Sequence, residues 1–288
     1  MYKNAILGLV AQTAIHAGAS SSEAAIDLPI QRETHTDWPV VFGSGMKGAL
    51  RGHFEGKLDP ATLFAVFGPD TANAADHAGA LLVSDARLVL LPVRSMTSHV
   101  KWVSCPALLN RLSRDLKRMQ IAHDDWSLEG VSSTTALTSN HADDLYLEEF
   151  RFSTKVADLT TLLATLVKLT GEQLAQELKQ NLVIVSDDQF RHLCRHATPV
   201  QAHIAIDNKT KTVKPGALWY EENLPAETVM YCCLSCTDGR DAQRQSATQL
   251  LSALQKPLAE HNFLQVGGNL TTGMGWFETQ WNQGATNV

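Results

Sequence analysis

The sequence predicts an α+β fold, a ferredoxin-like core carrying large insertions. Three observations predict it. An apolar run near the N-terminus is followed by an amphipathic helix and a second apolar run. The same strand–helix–strand order returns towards the C-terminus. Between the two units lie segments too long and too polar to be simple connections. Two such units make a split βαβ arrangement, and 288 residues leave room for insertions within one large domain.

The elements follow in order. Residues 5–15 read as a buried strand. Only Lys3 precedes it and Gly8 and Gln12 interrupt it, so it is not read as a signal-peptide core, and a cytoplasmic chain is expected. Residues 16–42 form a long irregular segment with Gly18, a Ser20-Ser21-Ser22 run, Pro29 and Pro39. A loop of that length inside a domain is usually functional or disordered, and His16, Asp27, Gln31, Arg32 and Glu33 are too specific for a linker. A helix is expected from Ser44, as N-cap, to Gly56, with Met46, Leu50 and Phe54 on one face. Residues 80–94 read as a strand, 105–118 as a basic amphipathic helix, 120–145 as a polar loop and 157–180 as one helix. Val183–Val185 is a short strand, followed by a short helix around Phe190 and Leu193. Val200 to Val213 alternates and turns at Asp207-Asn208-Lys209, which is a hairpin pattern. Residues 228–236 form a strand, 240–260 a helix, and 263–267 with 274–278 a closing strand pair.

Composition excludes several classes. Apolar residues make up 44% and charged residues 19%, which is too apolar for disorder. No apolar run approaches a membrane span, so no membrane partner is expected. The net charge of −6 excludes nucleic-acid binding by bulk charge. The charge is segregated, however. Residues 87–118 carry seven bases and one acid, Asp115, whereas 119–150 carry seven acids and no base. Residues 191–216 are net +4 and 217–241 net −4. Such blocks suit a surface that grips phosphate on one side and meets a basic partner on another, and equally a solvated amphipathic surface. The five cysteines lack the second ligand pair that zinc would need, so Cys233-Leu-Ser-Cys236 reads as thiols on a buried strand.

Three motifs stand out. Gly43-Ser44-Gly45-Met46-Lys47-Gly48-Ala49-Leu50-Arg51 sets a glycine-rich turn at a helix N-terminus with Lys47 and Arg51 one turn apart, which suits a phosphate backbone. It is not a nucleotide-binding P-loop. Gly267-Gly268-Asn269-Leu270-Thr271-Thr272-Gly273-Met274-Gly275 marks backbone that approaches something closely, or else a β-bulge. In the long loop, Asp27 could ligate a divalent cation and His16 could exchange a proton; a turn aspartate and a packed histidine are the plainer alternatives.

Taken in order, these pieces resemble the RAMP superfamily of CRISPR effector proteins, in the backbone-subunit group typified by the fourth subunit of the type III-B Cmr complex. The resemblance is carried by I-H-A-G at 15–18, I-D-L-P-I-Q-R-E at 26–33 and P-V-V-F-G-S-G-M-K-G-A-L-R at 39–51. It continues through L-F-A-V-F-G-P-D at 63–70, W-V-S-C-P-A-L-L-N-R-L at 102–112, V-S-D-D-Q-F at 185–190, T-K-T-V-K-P-G-A-L-W-Y-E-E-N-L-P at 210–225 and the glycine-rich motif. Each motif is loose, but the ordered set is specific and spans nearly the whole chain.

The resemblance implies one RAMP domain over 1–288, with an RRM-like core, a lid-like insertion at about 95–150 and a thumb hairpin at about 197–227. It implies stacking with copies of itself and other Cmr subunits along a CRISPR RNA, and cleavage of the bound single-stranded target RNA at regular intervals, with Mg²⁺ or Mn²⁺ as cofactor. The essential acid falls on Asp27, which is also the metal candidate, the upstream histidine on His16, and the acid pair on Glu221 and Glu222. RNA contacts fall on Ser44, Lys47, Arg51, Lys209, Lys211, Gly267, Gly268, Asn269, Thr271, Thr272 and Gly273. A tyrosine that follows the acid pair in some relatives is Asn223 here. The alternative is a structural RNA-binding backbone subunit without catalysis.

Overall fold

The computed structural model describes residues 2–19, 25–70, 76–140 and 144–284, so the Ser20-Ser21-Ser22 run lies outside the described residues. The first apolar run forms β1 (Lys3–Ala11). After the irregular segment come β2 (Val40–Val41) and α1 (Gly43–Phe54). Ser44 does not cap this helix as expected. The N-cap is Phe42, and Asp85 Oδ1 accepts from the Gly43 N–H at 2.7 Å. The first-turn donor is satisfied from a distant strand end, which no local reading would show. A helix that the sequence reading passed over, α2 (Pro60–Phe67), follows, capped by Asp59 with Pro60 in its first turn.

The expected strand at 80–94 is two, β3 (Leu81–Val83) and β4 (Ala86–Ser95). The break at Ser84-Asp85 provides the cap for α1 and an acceptor, Ser84 Oγ, for the Cys233 N–H. β5 (His99–Ser104) was not anticipated; α3 (Pro106–Arg118) was, and it buries Leu108, Leu109, Leu112 and Leu116. The polar stretch 120–145 is not all loop, because it holds β6 (Thr135–Thr138) and the first residue of β7 (Leu145–Leu147), which hairpins with β8 (Phe150–Val156). The single helix expected over 157–180 is α4 (Thr160–Thr170) and α5 (Ala175–Asn181). Gly171 divides them, with φ 91° that a glycine adopts without strain. Then come β9 (Leu182–Ile184) and α6 (Asp187–His196). The hairpin is longer than the alternation implied, because β10 (Val200–Ile206) pairs with β11 (Val213–Glu222) down to Val200 opposite Glu222. The chain closes with β12 (Val229–Cys236), α7 (Ala247–Glu260), β13 (Phe263–Gln265) and β14 (Trp276–Gln283). α7 starts at the Ser246–Gln249 capping box, not at 240.

The content is mixed α and β. Four strands lie antiparallel in the order β14-β1-β12-β4, with β13 outside β14. From β4 the sheet runs on through β5, β9, β6, β8 and β7, and β7 returns to β4 at Ser95–Leu147, so this half closes into a barrel-like ring. β1 is buried on both faces, which is why its sequence is apolar rather than alternating. Leu7 and Leu9 join one core cluster with Met46, Leu50 and Leu254; Ile6 and Val10 join another with Leu109, Leu112, Leu162 and Leu166. Gly8 lets α4 approach β1, since a Cβ there would stand 2.1 Å from the Leu169 carbonyl oxygen. Asp115, buried on α3, accepts from Arg87 at 2.5 Å and Tyr231 Oη at 2.7 Å and so ties the helix to β4 and β12. Among the described residues no helix is long and apolar enough to cross a membrane.

Candidate functional site

The long first loop is held against the base of the hairpin. Leu28 bridges Glu221 in parallel; its N–H donates to the Tyr220 carbonyl at 3.1 Å, and the Glu222 N–H donates to the Leu28 carbonyl at 3.0 Å. This isolated bridge delivers Asp27, whose Oδ2 accepts from the Tyr220 N–H at 2.8 Å while the residue remains exposed. One carboxylate oxygen is thereby fixed by backbone, and the other has no protein partner among the described residues.

His16 sits at the end of the first strand's path, almost buried. Its Nδ1 lies 2.9 Å from the Glu222 carbonyl oxygen. A carbonyl only accepts, so Nδ1 carries the proton and Nε2 is the basic nitrogen of the neutral ring. Gly18 lies on the Nε2 side, where a Cβ would stand 2.9 Å away. The Gly268 N–H donates to the His16 carbonyl at 2.9 Å, and a Cβ at Gly267 would come within 2.4 Å of that oxygen. Gly267 is thus required by the close passage of one backbone over another, whereas a Cβ at Gly268 would meet only ordinary contacts, at 3.6 Å or more.

Glu221 and Glu222 are adjacent yet differently employed. Glu222 is 3% exposed and saturated: Oε1 accepts from Arg32 Nη2 at 2.5 Å and Thr198 Oγ1 at 2.7 Å, and Oε2 from the Ile30 N–H at 3.1 Å. Arg32 also donates to the carbonyls of Asp37 and Cys194. Glu221 Oε1 accepts from Asn269 Nδ2 at 2.6 Å and lies 3.8 Å from His16 Nδ1. Asn269 holds a left-handed backbone (φ 61°) that asparagine tolerates, and this aims its amide. Asn223 is fully buried, and its amide oriented towards Glu221 Oε1 and the Glu222 carbonyl would donate to both at 3.3 Å. Asn223, where the resemblance led a tyrosine to be expected, therefore points inward.

His16, Asp27, Glu221, Glu222 and Asn269 come together from four separated segments. The other expected residues lie around them. Thr271, Thr272 and Gly273 are exposed on a 3₁₀ turn beside Asn269. Lys209 and Lys211 are exposed at the hairpin tip, where the Asp207 carboxylate accepts from the Lys209 and Thr210 N–H groups. Ser44 is exposed at the start of α1. Lys47 and Arg51 are half-buried and spend donors on protein: Lys47 Nζ on the Leu81 carbonyl at 3.3 Å, Arg51 Nη1 on the Gly68 carbonyl at 2.8 Å. Burial, assisted by Arg51 and Arg240, pulls the Lys47 ammonium below the usual lysine range. Sequence reasoning named Arg32 only as a polar loop residue and missed Thr198. The available signal was Glu222 itself, because a carboxylate buried where the hairpin enters the core demands a cation.

Divalent-cation fit turns on Asp27. No group of three His, Cys, Asp or Glu among the described residues is arranged to hold a metal. What the chain offers is one exposed carboxylate oxygen, which suits an ion that keeps most of its shell as water and substrate phosphate. The thiols offer nothing comparable: all five cysteines are buried, and burial pushes Cys233 up to about 11 and Cys236 up to about 12.

The RAMP-superfamily model matches residues 9–278. The chain is 31% identical over 280 residues, covering 94% of it and 93% of the relative, to the CRISPR system Cmr endoribonuclease Cmr4 of Pyrococcus furiosus. A crystal structure of oligomeric Cmr4 from Pyrococcus furiosus superposes with a TM-score of 0.77 at 26% identity, over 99% of each chain. A chain of the type III-B Cmr-beta complex bound to cognate target RNA shares the fold with a TM-score of 0.73 at 20% identity, over 98% of this chain and 97% of that one. The chain belongs to the RAMP superfamily and, within it, to the Cmr4 family.

Proposed function

We propose that the protein is a backbone subunit of a type III-B CRISPR effector that binds CRISPR RNA, stacks on copies of itself and other Cmr subunits, and cleaves complementary target RNA. The observation that carries this reading is the meeting of His16, Asp27, Glu221 and Asn269 at the base of the hairpin. The strands β14-β1-β12-β4 with α1 and α7 then serve as a ferredoxin-like core, residues of about 95–150 as a lid and about 197–227 as the thumb. Exposed Val200, Ile204, Ile206, Val213 and Leu218 give the thumb an apolar surface suited to packing on a neighbouring copy and wedging a nucleotide out of a duplex.

Displacing a nucleotide lets its ribose 2′-OH swing in line with the adjacent 3′ phosphate, so catalysis is mostly positioning. The 2′ oxygen attacks phosphorus, the P–O5′ bond breaks, and the products are a 2′,3′-cyclic phosphate and a 5′-OH. His16 Nε2 is the group able to take the 2′-OH proton or return one to the leaving oxygen. Asp27, rigidly hung on the Tyr220 N–H, orients the attacking hydroxyl. Glu221 stabilises a protonated His16, and Asn269 keeps Glu221 in place. A shared Mg²⁺ or Mn²⁺ on the free oxygen of Asp27 would neutralise charge developing on the phosphate. Lys47, Arg51 and the Gly267–Gly273 loop border the guide backbone.

The deciding experiment assembles the complex with Asp27→Ala and presents complementary target RNA with and without Mg²⁺. Loss of periodic cuts with retained target binding supports the reading. Cutting at the unsubstituted rate leaves only the alternative of a structural backbone subunit.

A further inference from the structure

The ring of strands β4, β5, β9, β6, β8 and β7 leaves a cavity of about 270 Å³ at one end, away from the site above. Its wall combines Leu145, Leu182 and Val183 with Ser98 and Lys101. Two features of that wall are unusual. Lys101 is only 5% exposed, yet among the described residues no carboxylate lies within ion-pair distance of it. Two of its three N–H donors are used, on the Gln180 carbonyl at 3.3 Å and Asn181 Oδ1 at 3.1 Å, both neutral oxygens at the end of α5. Ser98 Oγ is buried and has no hydrogen-bond partner. The acid in the wall, Asp144, is engaged by Arg151 at 2.7 and 3.0 Å.

We infer that this barrel-end cavity is a binding site for a small organic carboxylate. A buried ammonium without a counter-charge is costly, and a ligand carboxylate supplies that charge with acceptors for the remaining Lys101 donor and for Ser98 Oγ. The charge count selects a monoanion. One ammonium balances one carboxylate, with Asp144 already neutralised by Arg151, whereas a phosphate monoester carries roughly −1.5 to −2 near neutrality and would leave the excess unbalanced. The apolar wall accepts a short aliphatic or aromatic body, and the volume falls below that of drug-sized pockets. Burial also draws the Lys101 pKa down, and a bound carboxylate would reverse that.

The test uses the full chain, with benzoate, benzyl alcohol and phenyl phosphate as probes. Affinities come from calorimetry, and methyl-labelled NMR of Leu145, Leu182 and Val183 locates binding. Benzoate is expected to shift those methyls and to bind more tightly than either other probe. Lys101→Met should weaken it by about tenfold or more and Ser98→Ala by roughly fivefold. Because Lys101 also caps α5, Ser98→Ala and the probe ranking on the unsubstituted chain decide the matter if Lys101→Met fails to fold. Absent methyl shifts, equal binding of benzyl alcohol, tighter binding of phenyl phosphate, or unchanged affinity in Ser98→Ala would each overturn the assignment.

Discussion

Arg32 and Glu222 lie 190 positions apart in sequence and meet at 2.5 Å, with the carboxylate almost wholly buried. The pair fastens the first loop to the base of the hairpin, and Thr198 and the Ile30 N–H complete the carboxylate's shell. Glu222 thus acts as a strut that sets where Asp27 stands, and its saturated oxygens leave it no proton-transfer role. Removing one partner strands the other charge, so Glu222→Ala or Arg32→Ala should cost about 3 kcal/mol. Denaturant unfolding checks the cost. Glu222→Gln, which keeps two of the three contacts, should be milder.

Glu221 makes the contrast. Its oxygen faces His16 and Asn269, so Glu221→Gln should fold normally yet cleave more slowly, by roughly ten- to a hundredfold in the single-turnover rate. Asn269→Ala should follow in the same direction with a smaller loss. Equal stability loss in Glu221→Gln and Glu222→Gln would contradict the division of labour.

The glycine contacts give a steric test. Gly267→Ala meets both a φ of 88° and a 2.4 Å approach to the His16 carbonyl, so it should destabilise by about 2 kcal/mol and displace His16. Gly273→Ala, where a Cβ meets nothing within 4 Å, carries only the backbone strain of φ 82° and should leave His16 in place. Thermal melts and cleavage rates measured side by side distinguish the two.

α3 is held by a buried acceptor. Tyr231→Phe removes one donor to Asp115 and should cost about 1 kcal/mol, because Arg87 and Arg118 still serve the carboxylate. Asp115→Ala should cost considerably more, because it strands Arg87 and the Tyr231 hydroxyl. Chemical denaturation of the two variants measures both.

Stability should also respond to pH through His53 on α1. Burial, then Lys57 and His261, lowers its pKa from 6.5 to about 4, and Lys57 Nζ stands 3.1 Å from Nε2. Between those values the unfolded chain binds the proton and the folded chain does not. The contribution is therefore whole above pH 6.5 and is lost as pH falls towards 4. His53→Gln should flatten the stability profile in that window.

Much of the architecture was legible along the chain. β1 announced itself by an unbroken apolar run, and α3 by leucines at helical spacing, because burial imposes its period on local sequence. His16, Asp27, Glu221 and Glu222 could be named from an ordered set of motifs. β5, β6 and β8 could not be foreseen, because ring strands that are short or partly exposed carry too few apolar residues to show a period. The cap of α1 came from Asp85, and the break between α4 and α5 from Gly171 within a pattern that otherwise reads as one helix.

By itself the sequence determined the order of the longer elements, the apolar faces and the residue types offered for the proposed phosphate-handling site. Only the tertiary structure decided which of two neighbouring glutamates is a strut and which faces the histidine. That choice rests on Arg32, Thr198 and Asn269, each far away in the chain, and on hydrogen-bond distances that local sequence does not encode. The same holds for the barrel-end cavity, where Lys101 reads like any other lysine of the chain until the closing of the ring removes water from around it.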